Sequence, residues 1–192
     1  MVEELKEDFS KLRFMNENGE NYPEWEEKLL GQTKVTFTTG KRDANEASMD
    51  GEYNFYTCSS NISKINKYSF EGPSLLIAGN GVIGDVKYYD NKFDAYQRVY
   101  VLQNLDEFEH NYLKTTIKDN LEKAIRSEQM GSTLKYIRLS TLTDLKILIP
   151  SFPEQEKIAN LLSKMDKRIE LEEDSLENTK QLKQAYMQRL LT

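Results

Sequence analysis

After Pro153 the chain carries no glycine or proline as far as Thr192, and this uninterrupted stretch constrains everything in front of it. A proline near a helix start is tolerated because its missing N–H would be unpaired there anyway. Ser151 stands at the cap position, with Glu154 three residues on in the capping-box position. From there apolar side chains recur at three-and-four spacing: Ile158, Leu162, Met165, Ile169, then Leu176. The seam breaks at Glu172 and Thr179, slips register, and resumes with Leu182, Tyr186 and Leu190. As one continuous helix the stretch would be roughly 55 Å long at about 1.5 Å per residue. No single small domain covers that length. A narrow apolar stripe of near-heptad period, with charges elsewhere, calls for another helix beside it. The expectation is a coiled-coil helix with a second helix packed along this stripe.

The chain has 192 residues, and setting the helix aside leaves roughly 150, enough for one ordinary domain with its own core. The expected division is therefore a globular domain over 1–150, with 1–31 as its leading segment, and a spacer or dimerisation helix over 151–192. Cys58 is the only cysteine, so no internal disulfide can form. Met1 to Phe14 is acidic, unlike a signal peptide, and no apolar run approaches the roughly 18 residues a membrane span needs. A reducing, cytoplasmic setting without membrane attachment is expected.

In the leading segment Leu5, Phe9, Leu12 and Phe14 could form one apolar helical edge, and Trp25 reads as a packing anchor. Val35–Thr39 and Tyr53–Cys58 are β-branched or aromatic and read as strands. Ser74–Ala78 reads as a buried strand, Gly79-Asn80-Gly81 as a turn, and Val82–Tyr89 as the returning strand of a hairpin. The second half of Phe93–Leu102 is also strand-like. Phe108 to Met130 is helical, with Phe108, Tyr112, Leu113, Ile117, Leu121 and Ile125 on one face and Gly131 as its stop. Lys146–Ile149 is a last strand before Pro150. Hairpins with one internal helix and no strict βαβ alternation give an α+β fold with a mixed sheet, followed by the long helix.

Few residues are available for bond-making chemistry. The one histidine, His110, sits on a predicted helix, and nothing local pairs it with Cys58. No His/Cys cluster has zinc spacing, so no metal site and no catalytic residue are expected. Gly79-Asn80-Gly81-Val82-Ile83-Gly84 spells a dinucleotide-binding pattern, but strand-like sequence follows it where a helix should open. Glu24 with Glu26-Glu27-Lys28, and Asp85-Val86-Lys87, imitate nuclease elements that chance supplies in a chain with 32 acidic residues. The prolines are never adjacent, so an Asn-Pro-Pro-aromatic methyltransferase site is absent.

Polar loops remain. Lys41, Arg42 and Asn45 fall in one, Ser59, Ser60 and Asn61 in another, and Asn80 at the hairpin tip; Gln97 and Arg98 follow Tyr96, and Ser132, Thr133 and Lys135 form a last group. Arg, Lys, Asn and Gln hydrogen-bond base edges in the major groove, while Ser, Thr and Lys hold phosphates. The net charge of -6 argues against such a partner at first. Between Met1 and Gly31, however, nine acidic side chains face four basic ones, so that segment alone carries about -5. A nearly neutral remainder can still present a basic face, because the local patch sets the field a ligand meets.

Leu12-Arg13-Phe14 and Trp25–Gly31 near the start, Leu145–Pro150, the junction Phe152-Pro153-Glu154-Gln155-Glu156-Lys157-Ile158-Ala159, and Leu182–Gln188 together resemble the specificity subunit of type I restriction-modification enzymes. That family holds two target recognition domains and two long helices that pack antiparallel as a spacer. This chain resembles half of such a subunit, either a half-sized protein that dimerises or a piece of a longer one; the resemblance implies a homodimer through the C-terminal helix, whose antiparallel pairing would recreate the family's spacer. The resemblance implies a non-catalytic reader of double-stranded DNA with no cofactor of its own. Modification subunits would bind S-adenosylmethionine and methylate the DNA, and a restriction subunit would cut it. The rival expectations are a coiled-coil module that binds protein without reading DNA, and a stand-alone metal nuclease.

Overall fold

The computed structural model describes residues 13–129 and 136–190. The apolar edge expected of Leu5, Phe9 and Leu12 lies outside them. Nine strands are present among these residues: β1 (Glu26–Leu29), β2 (Thr36–Thr39), β3 (Tyr53–Tyr56), β4 (Ser63–Ile65), β5 (Pro73–Ala78), β6 (Val86–Asp90), β7 (Phe93–Ala95), β8 (Val99–Gln103) and β9 (Lys146–Ile149). The α-helices are α1 (His110–Gln129), α2 (Leu139–Thr143) and α3 (Phe152–Leu190).

An antiparallel sheet in the order β2-β8-β5-β6 forms the centre. Because side chains alternate along a strand, β5 serves two cores. Leu75 and Ile77 join Val86 and Leu102 beneath Leu113, Ile117, Leu121 and Ile125 of α1. Leu76 points the other way, with Val99 and Val101 of β8, against Tyr56, Phe93 and Ala95. Those last three belong to a second sheet, β4-β3-β7, in which β3 runs antiparallel to β4 and parallel to β7. Burial on both faces explains why β5 reads as a continuous apolar run. The α+β class is as expected.

Some boundaries move. Val82–Asp85 is loop, and the returning strand begins at Val86, because Gly81 and Gly84 take positive φ (61° and 81°) and the turn is wider than the Asn-Gly pair suggested. The first half of Phe93–Leu102 is a strand of its own, β7. Glu26–Leu29, read only as the surroundings of an anchoring Trp25, pairs antiparallel with β9.

The long helix begins at Phe152, and its start is held differently from the capping box anticipated. Ser151 supplies its carbonyl to the N–H groups of Glu154 (2.9 Å) and Gln155 (3.0 Å), while its buried hydroxyl finds no partner among the described residues. The Glu154 carboxylate accepts from Arg13 Nε (3.0 Å), Arg13 Nη2 (3.2 Å) and Trp25 Nε1 (2.9 Å). Gln155 donates to the carbonyls of Pro150 and Glu107 and accepts from the N–H of Glu109. The first turn of α3 is thereby tied to the leading segment and to the approach to α1. Ala159 is the last fully buried residue of α3, and from Ser163 to Leu190 every residue is exposed.

Candidate nucleic-acid interface

The edge of the domain where the polar loops meet is built from close backbone crossings. The Gly79 N–H donates to the Arg98 carbonyl (2.9 Å), and a Cβ at Gly79 would sit 2.5 Å from that oxygen. The Val82 N–H donates to the Cys58 carbonyl (3.0 Å), and the Gln97 N–H to the Arg42 carbonyl (3.0 Å). The Ile137 N–H donates to the Gly79 carbonyl (2.8 Å), and the Tyr100 hydroxyl to the Ile137 carbonyl (2.9 Å). These bonds bring the segments 39–42, 57–61, 79–82, 96–98 and 136–138 onto one edge.

Between them lies a cleft of about 450 Å³ lined by Thr39, Gly79, Gln97, Arg98, Tyr100, Tyr136, Ile137 and Arg138. Among the described residues, none that lines it is acidic. Of the residues expected from sequence, Gln97 and Arg98 are in its wall, and Lys41, Asn61 and Asn80 belong to the loops around it. Ser59 is here too, but its hydroxyl donates to the Asn61 carbonyl (2.8 Å). The side-chain oxygen of Asn80 is buried without a hydrogen-bond partner among the described residues. Asn45 is exposed on a short 3-10 turn, Ala44–Glu46, beside the first loop. Ser132, Thr133 and Lys135 lie outside the described residues.

Arg42 has a structural engagement that its loop position did not reveal. Its Nε donates to Oδ2 of the fully buried Asp94 (3.1 Å) and its Nη1 to Glu46 (3.3 Å). Hydrogen bonding to Asp94 raises the Arg42 pKa further. Lys87 is similarly occupied, bridging Asp85 (2.6 Å) and the Ser59 carbonyl (3.3 Å). Thr39, Tyr136 and Arg138 were missed. Tyr136 and Arg138 sit between the apolar residues Leu134, Ile137 and Leu139, a context that reads as packing when taken from sequence alone.

The remaining chemistry is sparse. His110 stacks on Tyr88, ring centroids 4.7 Å apart, while Cys58 donates to the Arg98 carbonyl (3.4 Å). Gly79–Gly84 links β5 to β6 as a hairpin loop, as expected, and opens no helix. Lys28 of the first nuclease-like element is paired with Glu26 (3.0 Å). No group of three potential metal ligands comes together among the described residues, and no described helix is long and apolar enough to cross a membrane.

Residues 23–181 match the family described as type I restriction modification DNA specificity domain. The chain is 36% identical over 169 residues to the type I restriction enzyme EcoDI specificity subunit of Escherichia coli, covering 88% of this chain and 37% of that protein. A putative type I specificity subunit of Mycoplasma pneumoniae is 31% identical over 175 residues, 88% of this chain and 46% of that one. The crystal structure of a type I S subunit from M. genitalium superposes with a TM-score of 0.61 at 21% identity, over 83% of this chain and 42% of that one. That of HsdS from Thermoanaerobacter tengcongensis gives 0.58 at 15%, over 88% and 46%. The fold is shared, and the chain spans less than half the length of each of these relatives.

Proposed function

Because the chain belongs to the type I restriction-modification DNA specificity family, we propose that it is a non-catalytic reader of double-stranded DNA. Residues 1–150 act as one target recognition domain and 151–192 as its spacer helix. The observation that supports this most is the convergence of Lys41, Asn61, Asn80, Gln97 and Arg98 on one edge around a cleft with no acid among its described lining residues. Such side chains offer donors and acceptors to base edges and cations to phosphates. Modification subunits carrying S-adenosylmethionine and a restriction subunit are the partners that would do the chemistry, in the cytoplasm.

A bipartite target requires two reading domains, and α3 supplies the means to join them. Beyond the domain its apolar residues Met165, Ile169, Leu176, Leu182, Tyr186 and Leu190 are at least half exposed. The stripe nearly mirrors itself about Leu176. In an antiparallel pair Leu176 meets its own copy, Ile169 meets Leu182, Met165 meets Tyr186, and Leu162 meets Leu190. The acidic run Glu170, Glu172 and Glu173 then lies beside Lys180 and Lys183 of the other copy, giving charge complementarity along the seam. The two domains would sit at opposite ends of this spacer.

The experiment is selection of bound duplexes from a random pool, by the chain alone and with a modification subunit, at graded salt. Enrichment of a two-part sequence with a fixed gap is expected. Tight DNA-independent association with another protein, with no enriched sequence, would favour the protein-binding module instead.

A further inference from the structure

We propose that the cleft between the β5–β6 loop and residues 136–138 is a phosphodiester-binding site, in which Arg98 and Arg138 grip the DNA backbone while the surrounding loops read bases. This rests on the DNA-reading function proposed above and assigns a distinct task to one part of the surface.

The distribution of arginines carries the inference. Arg13, Arg42, Arg126 and Arg168 each pair with a carboxylate, on Glu154, Asp94, Glu122 and Glu172 respectively, and Arg189 lies in the last turn of α3, away from the domain. Arg98 and Arg138 make no ion pair among the described residues, and both line the same cleft. In a chain with 32 acidic and 26 basic residues, two guanidiniums at one site, with no ion pair and no acidic lining residue among the described residues, are not what an indifferent surface supplies. Their mutual repulsion is relieved by an anion between them, and the planar fork of each matches phosphate oxygens.

The pattern of free hydrogen-bonding groups selects the same ligand. Four main-chain acceptors at the cleft are already taken: Gly79 O by Ile137 N–H, Arg98 O by Gly79 N–H and Cys58 Sγ, Ile137 O by the Tyr100 hydroxyl, and Arg138 O by Thr141 N–H. Of the lining side chains, the two guanidiniums can only donate, and the Thr39 and Tyr136 hydroxyls and the Gln97 amide can add further donors. A base edge mixes donors with acceptors, whereas a phosphodiester presents only acceptors.

The test compares Arg98→Ala, Arg138→Ala and Arg138→Lys with wild type, assembled with a modification subunit, on the selected duplex and on a random one. Each alanine variant should weaken both complexes by the same factor and flatten the dependence of log K on log salt by about one unit. The selected sequence should not change, and Arg138→Lys should keep most of the slope. Unaltered thermal midpoints are expected, since neither side chain is ion-paired. An unchanged slope, or a different enriched sequence with either alanine variant, would overturn the phosphate assignment while leaving DNA reading intact. Failure of the wild-type assembly to retain any duplex at low salt would remove both readings together.

Discussion

Arg13 Nε lies 3.0 Å from Oε1 of Glu154, a residue 141 positions later whose side chain has no solvent exposure. Arg13 also stacks over Trp25, 5.2 Å from its ring centroid, and Trp25 Nε1 donates to the same carboxylate. One buried anion therefore fastens the leading segment to the base of the long helix. Nearby, Lys157 reaches the Met15 carbonyl (2.6 Å) and lies over the Tyr22 ring.

Removing the two ends of that pair should have unequal effects. Glu154→Ala frees Arg13, which is partly exposed and can rehydrate, so the loss is that of a few charge-assisted hydrogen bonds, about 2 kcal/mol. Arg13→Ala strands the buried carboxylate with only the indole N–H, and should lower the thermal midpoint further than Glu154→Ala does. Thermal denaturation followed by circular dichroism checks the order.

The first loop separates into two jobs. Asp94 accepts from Arg42 Nε (3.1 Å), Ser69 Oγ (2.8 Å) and the Ala95 N–H (2.8 Å) with no solvent exposure. Arg42→Ala leaves that carboxylate buried without its cation and should depress stability more than Asp94→Ala, which removes the buried charge and frees a partly exposed Arg42. Lys41→Ala should leave the midpoint unchanged and lower DNA affinity, more at low salt than at high. Paired melting curves and salt-graded gel shifts distinguish the two residues.

The mirror symmetry of the helix seam predicts its own cross-linking pattern. In a Cys58→Ser background, Leu176→Cys should form an intermolecular disulfide under mild oxidation, while Met165→Cys should not, since its counterpart is Tyr186. A parallel pair would cross-link at both positions. Ile169→Asp with Leu176→Asp should leave a folded monomer by light scattering.

Features governed by local periodicity were legible in the sequence. The α1 face from Leu113 to Ile125 follows from three-and-four spacing, β5 from an unbroken apolar run, and the exposed apolar stripe of α3 from the same helical spacing on either side of its register slip. The loop groups at Lys41, Asn61, Asn80 and Gln97 were also legible, because turn chemistry is local. What escaped depends on distant partners. Arg42 looks like an open-loop cation until β7 places Asp94 under it. Glu154 has capping-box spacing, yet Arg13 and Trp25 claim its carboxylate. Strand β1 is largely charged and exists because β9 returns beside it. Arg138 becomes a cleft residue only when the Ile137 N–H bonds to the β5–β6 loop at Gly79.

Cys58 offers a probe of the candidate interface that needs no knowledge of the bases read. Burial pushes its thiol pKa above the ordinary range, against the opposing pull of the Asn80 and Gly79 N–H groups and the Arg98 and Lys87 charges. The folded state thus holds the thiol proton more tightly than the unfolded one. Any stability this contributes is fully present below the unfolded thiol pKa and is lost as pH rises through the folded value. Alkylation at mildly alkaline pH should accordingly be slower in the folded protein than in urea, and should accelerate as pH rises. Because the Cys58 carbonyl and thiol bind Val82 and Arg98 of the neighbouring loops, duplex DNA on this edge should slow the reaction further, and added salt should restore it. A rate indifferent to saturating duplex would remove the 57–61 loop from the interface, whatever the Arg98 and Arg138 variants show.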